Sequence, residues 1–190
     1  MIIKETTAKL PAGMPVKIFF QDEARFGRIS DQRRCWAPMG TRPAVGRQVI
    51  REFIYAIAAV CPQTGEISSL IMPWVDTEIM SIFLAHTSLE LKDTYCLMFL
   101  DRASWHIAKD LRVPKNITLL PLPPYSPELN PAEHIWDHLR ENYFGNEVFD
   151  SLDSVENTLC SGLNALGKDN NLVSSLTYFD WLKTLSLTSN

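Results

Sequence analysis

Residues 120–140 read LPLPPYSPELNPAEHIWDHLR. Pro121, Pro123, Pro124 and Pro127 hold this segment in an extended, irregular path, because proline fixes φ and keeps its predecessor out of the helical region. A helix then begins at Asn130-Pro131-Ala132-Glu133. Asn130 suits the N-cap, Pro131 suits the first helical position and Glu133 stands three residues after the cap. Ile135, Trp136 and Leu139 supply an apolar face. Glu133 has two readings: a capping-box glutamate reaching back to the Asn130 N–H, or a metal-binding carboxylate fixed at a helix start by a stiff loop. The rest of the chain favours the second.

Working outward, residues 16–21 (VKIFFQ) form a short apolar run consistent with a buried strand, ending in Asp22-Glu23. Residues 27–43 are rich in turn formers and arginine. Residues 49–60 and 66–74 read as strands joined by a turn at Pro62-Gln63-Thr64-Gly65. Thr77 is the expected N-cap of a helix over residues 78–91. Residues 95–100 form an apolar strand ending in Asp101, and residues 104–111 are expected as a short helix. Residues 117–122 form a strand leading into the proline-rich loop, and the helix after it is expected to reach about Tyr143 and stop at Gly145. Helices are expected over residues 151–166 and 174–185. The pattern is that of a mixed α/β domain with both hairpin and crossover connections.

The 190 residues suggest one domain, with a lead-in over residues 1–15 and C-terminal helices over 146–190. The longest apolar run, residues 53–61, is far too short to span a bilayer, and the N-terminus MIIKETTAKL lacks the apolar core of a signal peptide. A cytoplasmic protein without membrane partners is expected. Cys35, Cys61, Cys96 and Cys160 form no C-x-x-C pair and are expected as buried free thiols. No G-x-x-x-x-G-K-[ST], G-x-G-x-x-G or G-x-S-x-G signature occurs, so nucleotide-cofactor and serine-hydrolase readings have no support.

The net charge of −4 hides an asymmetry. Residues 25–51 contain Arg25, Arg28, Arg33, Arg34, Arg42, Arg47 and Arg51 against the single acid Asp31, whereas residues 128–190 carry a local charge of −7. An arginine run can be a solvated face. Arginine without lysine also suits a phosphate-contacting surface, because the guanidinium fork matches phosphate geometry.

Two apolar strands thus end in an aspartate, Asp22 and Asp101. An acid is a common way to leave a sheet, but ligand sites of α/β sheets also lie at the carboxyl ends of strands. If the two strands are neighbours, both carboxylates share one cleft and the helix at Pro131 delivers Glu133 as the third. Three converging carboxylates repel one another and need protons or hard cations to coexist. Oxygen ligands with room for water and phosphate suit Mg²⁺ or Mn²⁺.

In order, FFQDEARFG, W-A-P-x-G-x-R-P from Trp36 to Pro43, LDRASWH and LPPYSPELNPAEHIW together resemble the catalytic domain of mariner-type DDE transposases, in their bacterial insertion-sequence branch. The resemblance covers about residues 16–145. It implies an RNase H-like mixed sheet flanked by helices, two divalent metal ions, and DNA strand cleavage and strand transfer. Motif by motif, it assigns Asp22, Asp101 and Glu133 as the catalytic, metal-holding acids, with the first shared between both ions. It also implies DNA partners, namely transposon ends and target, and a homodimer assembled on DNA. Full-length relatives carry helix-turn-helix modules ahead of this domain. No such module is expected in these residues, so DNA affinity should be weak, nonspecific and salt-dependent.

Around the acids, Glu23 should face away from Asp22 on the strand and is read as structural or supporting. His106 either orients a metal ligand, contacts a phosphate or packs beneath the sheet, and Arg102 pairs with a phosphate or a neighbouring acid. Arg25, Arg28, Arg33, Arg34, Arg42 and Arg47 are the candidate DNA contacts. Asp137 lies one turn past Glu133, and Glu128 is expected to be exposed. His134 and His138 have zinc-pair spacing but no third ligand nearby, and Trp36, Trp105 and Trp136 are read as core. Competing readings are an RNase H-like nuclease that only hydrolyses, and an inactive DNA-binding remnant of a transposase.

Overall fold

A five-stranded mixed sheet of order β3-β2-β1-β4-β5 forms the middle layer of a computed structural model that describes residues 14–124 and 126–185. The lead-in lies outside the described residues except for its last two. The strands are β1 (Val16–Ile29), β2 (Val49–Cys61), β3 (Glu66–Met72), β4 (Tyr95–Leu100) and β5 (Ile117–Pro121). The β1–β2 and β2–β3 pairs are antiparallel, and β4 pairs in parallel with both β1 and β5. The helices are α1 (Thr77–Glu90), α2 (Glu133–Leu139), α3 (Leu152–Lys168) and α4 (Asn170–Thr177). No helix among the described residues is long and apolar enough to cross a membrane.

Period-two alternation sorts the strands into two cores. Ile18, Phe20, Ala24, Phe26, Ala56, Ala58 and Val60 face Ile135, Trp136 and Leu139 of α2, Val155 and Leu159 of α3 and Val173 of α4. Phe19, Ile57, Ala59, Cys61, Cys96 and Met98 face Ile79, Met80, Phe83 and Leu84 of α1. The C-terminal helices therefore cover one sheet face. At the β2–β3 turn Gly65 has φ +70, and a side chain there would run into the backbone of Asn170 as α4 begins.

Several expectations are corrected. β1 does not end at Asp22: it runs to Ile29 because β2 pairs with it along that length. Asp76, not Thr77, caps α1, its Oδ1 accepting from Ile79 N at 2.8 Å. Residues 104–111 form turns rather than a helix. The helix expected from Ser174 instead spans Asn170–Thr177, because Asp169 caps it by accepting from Leu172 N, and a separate 3₁₀ segment, Asp180–Leu185, follows. α2 is shorter than expected, passing into a wider i→i+5 turn at Arg140–Phe144 before Gly145. Cys61 and Cys96 are buried, but Cys35 and Cys160 are exposed, and all four are free. Trp36 is fully exposed, on an irregular, exposed segment between β1 and β2 with no apolar layer over it.

Candidate active site

Register brings the first two acids to the same level of the sheet. β1 and β4 pair in parallel from Val16↔Tyr95 to Phe20↔Phe99, and the Phe20 and Phe99 rings stack with centroids 5.2 Å apart. Asp22 and Asp101 each stand two residues further along, hence at the same level, Asp22 within β1 and Asp101 just past the end of β4. β4 ends there while β1 continues against β2, so Asp22 lies mid-strand where its neighbour departs.

Glu133 is brought to them by the proline-rich loop. Asn130 is buried and ties the loop to β1, its Nδ2 donating to Gln21 O at 3.1 Å and its Oδ1 accepting from Ala132 N at 3.3 Å. No hydrogen bond joins the Glu133 carboxylate to Asn130 N–H among the described residues, so the capping-box reading does not hold. Instead Asp22, Asp101 and Glu133 line one cavity of about 440 Å³, with Arg102, Ala103, Leu122, Pro123, Pro124, Ser126 and Asn130 completing its wall. Asp137 and Glu128 are not among its lining residues, and Glu128 is exposed.

The electrostatics are those of a site short of positive charge. Burial, then the charges of Glu133 and Glu23, push the Asp22 carboxyl up to about 7, against hydrogen bonds that favour its ionised form. One of these comes from Trp136, whose Nε1 donates to Asp22 Oδ2 at 3.0 Å. Asp101 is tied through Oδ1, which accepts from Ala103 N at 2.9 Å and lies 2.8 Å from His106 Nδ1. No further side chain among the described residues hydrogen-bonds either aspartate. Among those residues no three acidic, histidine or cysteine side chains close on a single point as a metal cluster. The acids border a shared space instead. Hard-oxygen donors around a roomy cavity, with the Asp22 carboxyl raised by burial and by its neighbouring acids, fit Mg²⁺ or Mn²⁺ that keep water and phosphate ligands.

The supporting residues fall into place differently. His106 is buried on the α1 side of the sheet, and Glu23 faces the same side, away from Asp22 as strand alternation requires. Burial opposes charge on His106, but hydrogen bonds and charge from Glu23 and Asp101 hold its pKa above the ordinary value. Arg102 lines the cavity and donates from Nε to Leu122 O at 3.2 Å. Trp105 Nε1 donates to Glu23 Oε1 at 3.1 Å.

Three of the arginines are engaged within the chain. Arg25 stacks on Phe53 at 4.3 Å, Arg28 bonds Glu52 and Phe149 O, and Arg33 bonds Asp31. Arg34, Arg42 and Arg47 are exposed, with no side-chain partner among the described residues. His134 packs on Phe179 and His138 contacts Asn142, which leaves nothing of a zinc pair. The bond from Trp136 to Asp22 was missed by the sequence reading, which placed Trp136 in the core. The available signal was that a buried indole N–H needs an acceptor, and Glu133 and Trp136 stand at i,i+3 on one helix face.

Residues 17–156 match the family model described as "DDE superfamily endonuclease". "Uncharacterized protein y4pE/y4sA" of Sinorhizobium fredii (strain NBRC 101917 / NGR234) is 41% identical over 113 residues, which is 59% of this chain and 84% of that protein. Among solved structures, the Mos1 mariner paired end complex with Mn superposes with a TM-score of 0.58 at 15% identity, over 94% of this chain and 60% of that chain. The Mos1 transposase paired-end complex with left transposon end gives 0.56 at 16% identity, again over 94% and 60%. At these identities the likeness is one of fold, the RNase H-like mixed sheet. This chain spans about three-fifths of the length of the Mos1 chains it matches.

Proposed function

The chain belongs to the DDE superfamily endonucleases, and from that premise we propose that it is a transposase catalytic domain. The reaction read from it is divalent-metal-dependent cleavage of DNA strands and transfer of the freed 3′ ends into target DNA. The observation that carries this is that Asp22 from β1, Asp101 from just past the end of β4 and Glu133 from the start of α2 line one cavity.

In this reading the three acids would hold two Mg²⁺ or Mn²⁺ ions. When bound, such ions activate a water or a 3′-hydroxyl and stabilise the leaving oxygen of a phosphodiester. The chain's own part is to fix the acids. Trp136 ties Asp22, Ala103 N and His106 hold Asp101, and Asn130 anchors the loop that delivers Glu133. Arg102, at the cavity wall, is positioned to meet a phosphate oxygen. Arg34, Arg42 and Arg47 are the arginines left to contact DNA backbone, while Arg25, Arg28 and Arg33 are engaged within the chain.

The partners proposed are transposon ends and target DNA, with two copies of the chain holding paired ends, and the working compartment is read as the cytoplasm. The test is incubation of the chain with Mn²⁺ and a short duplex bearing a free 3′-hydroxyl beside supercoiled plasmid. Joined products that disappear in Asp22→Asn, Asp101→Asn and Glu133→Gln support the proposal. Nicking without joining would make it a nuclease, and neither product would contradict it.

A further inference from the structure

On the far side of the sheet from Asp22, a chain of side chains runs from the interior to the second acid. Glu23 and His106 are nearly sealed, with side-chain exposures of 9% and 1%, whereas Asp101 is 60% exposed. His106 Nε2 lies 2.8 Å from Glu23 Oε1, and His106 Nδ1 lies 2.8 Å from Asp101 Oδ1. Trp105 Nε1 donates to the same Glu23 oxygen, so two groups fix that carboxylate. Burying a carboxylate against an imidazole is costly unless each is matched, and here both ring nitrogens are matched.

Asp101 needs such support more than its partner acids. It stands just past the end of β4 on irregular backbone, and an exposed carboxylate there is free to change rotamer. Ala103 N and His106 both engage Oδ1, which leaves Oδ2 as the oxygen available to the cavity. Asp22 follows the same rule from the other sheet face, where Trp136 engages Oδ2.

We propose that Glu23 and His106 are positioning residues for Asp101. Glu23 fixes the imidazole plane, and the imidazole fixes the carboxylate so that one oxygen is always presented to a metal ion. This rests on the reading of the three acids as metal ligands. Groups that orient a ligand in this way are commonly worth about 10–100-fold in metal affinity.

The experiment is titration of Mn²⁺ into the metal-free chain, with free manganese followed by electron paramagnetic resonance. The variants are His106→Ala, His106→Asn, Glu23→Ala, Asp101→Asn and the Asp101→Asn/His106→Ala double variant, each with its thermal midpoint. The asparagine amide can donate to Asp101 from near the Nδ1 position but is too short to reach Glu23. The expected result is about a tenfold or greater loss of affinity in His106→Ala. Most of it should return in His106→Asn, and no further loss should appear when His106→Ala is added to Asp101→Asn. Should His106→Ala not fold, the comparison of His106→Asn and Glu23→Ala with Asp101→Asn decides.

A purely structural histidine would lower the thermal midpoint and leave manganese affinity unmoved, and that result would overturn the proposal. So would an equal loss from His106→Ala with and without Asp101. If Asp22→Asn and Glu133→Gln bind manganese as the wild type does, the reading of the acids fails. If they lose it and His106→Ala does not, only the positioning role fails.

Discussion

Trp136 donates its indole N–H to Oδ2 of Asp22 at 3.0 Å, linking the helix that starts with Glu133 to the strand that carries the first acid. The ring itself is 1% exposed and packs edge-on against Phe26, so one residue serves both the core and the site. Trp136→Phe keeps most of the packing and removes the donor. It should cost about 1–2 kcal/mol of stability, read by urea denaturation, and weaken Mn²⁺ binding. A variant with wild-type manganese affinity would show that the hydrogen bond does not set Asp22.

Asp22 also gives the metal-free protein a pH dependence. Burial first, then the neighbouring charges of Glu133 and Glu23, raise its pKa from 3.8 to about 7, so the folded chain holds this proton more tightly than the unfolded one. Its contribution to stability is full below 3.8 and is lost as the pH rises through about 7. His106, also raised, slopes in the same direction, so the difference between wild type and Asp22→Asn isolates the aspartate. In chelator, Asp22→Asn should match wild type near about pH 3, below the unfolded value, and exceed it progressively towards about pH 8, read from denaturation midpoints.

How much of this was legible beforehand follows from where the information lies. β1, β4 and the proline-rich loop are written in local rules, and each acid falls beside a strong signal: an apolar strand for Asp22 and Asp101, Asn-Pro at a helix start for Glu133. Parallel pairing then did the rest, since equal offsets from Phe20 and Phe99 bring the aspartates level. Cross-sheet partners were not legible. That Trp136 meets Asp22, 114 positions away, or that His106 meets Glu23, 83 positions away, depends on which elements stack. The partners of the arginine run were not legible for a related reason: Arg25, Arg28 and Arg33 find Phe53, Glu52 and Asp31 only once β1 and β2 pair and the backbone after β1 is set.

That division of the arginines is itself testable. Replacing Arg34, Arg42 and Arg47 together with alanine should weaken binding to arbitrary duplex DNA with little change in thermal stability. If each meets one phosphate, the log–log salt slope should fall by roughly 3. Arg28→Ala should do the reverse, lowering stability through the lost contacts to Glu52 and Phe149 O with a smaller effect on DNA. An unchanged salt slope in the triple variant would remove these residues from the DNA-contacting set.

Asn130 holds the delivery loop by donating from Nδ2 to Gln21 O and accepting from Ala132 N at Oδ1. Asn130→Ala leaves a buried carbonyl on β1 without its donor and should cost about 1–3 kcal/mol. Because that carbonyl adjoins Asp22 and the loop leads to Glu133, strand cleavage should fall by more than the stability loss explains. The check is cleavage measured where the variant remains fully folded; wild-type cleavage there would free Asn130 of any part in placing Glu133.

The central claim is that Asp22, Asp101 and Glu133 form one metal site, and anomalous diffraction from crystals soaked in Mn²⁺, with and without duplex DNA, tests it most directly. The account predicts manganese in the cavity between β1, β4 and the start of α2, with Asp22 and Asp101 as ligands and Glu133 alongside. Manganese bound elsewhere, or a cavity that stays empty of it even with DNA present, would contradict it.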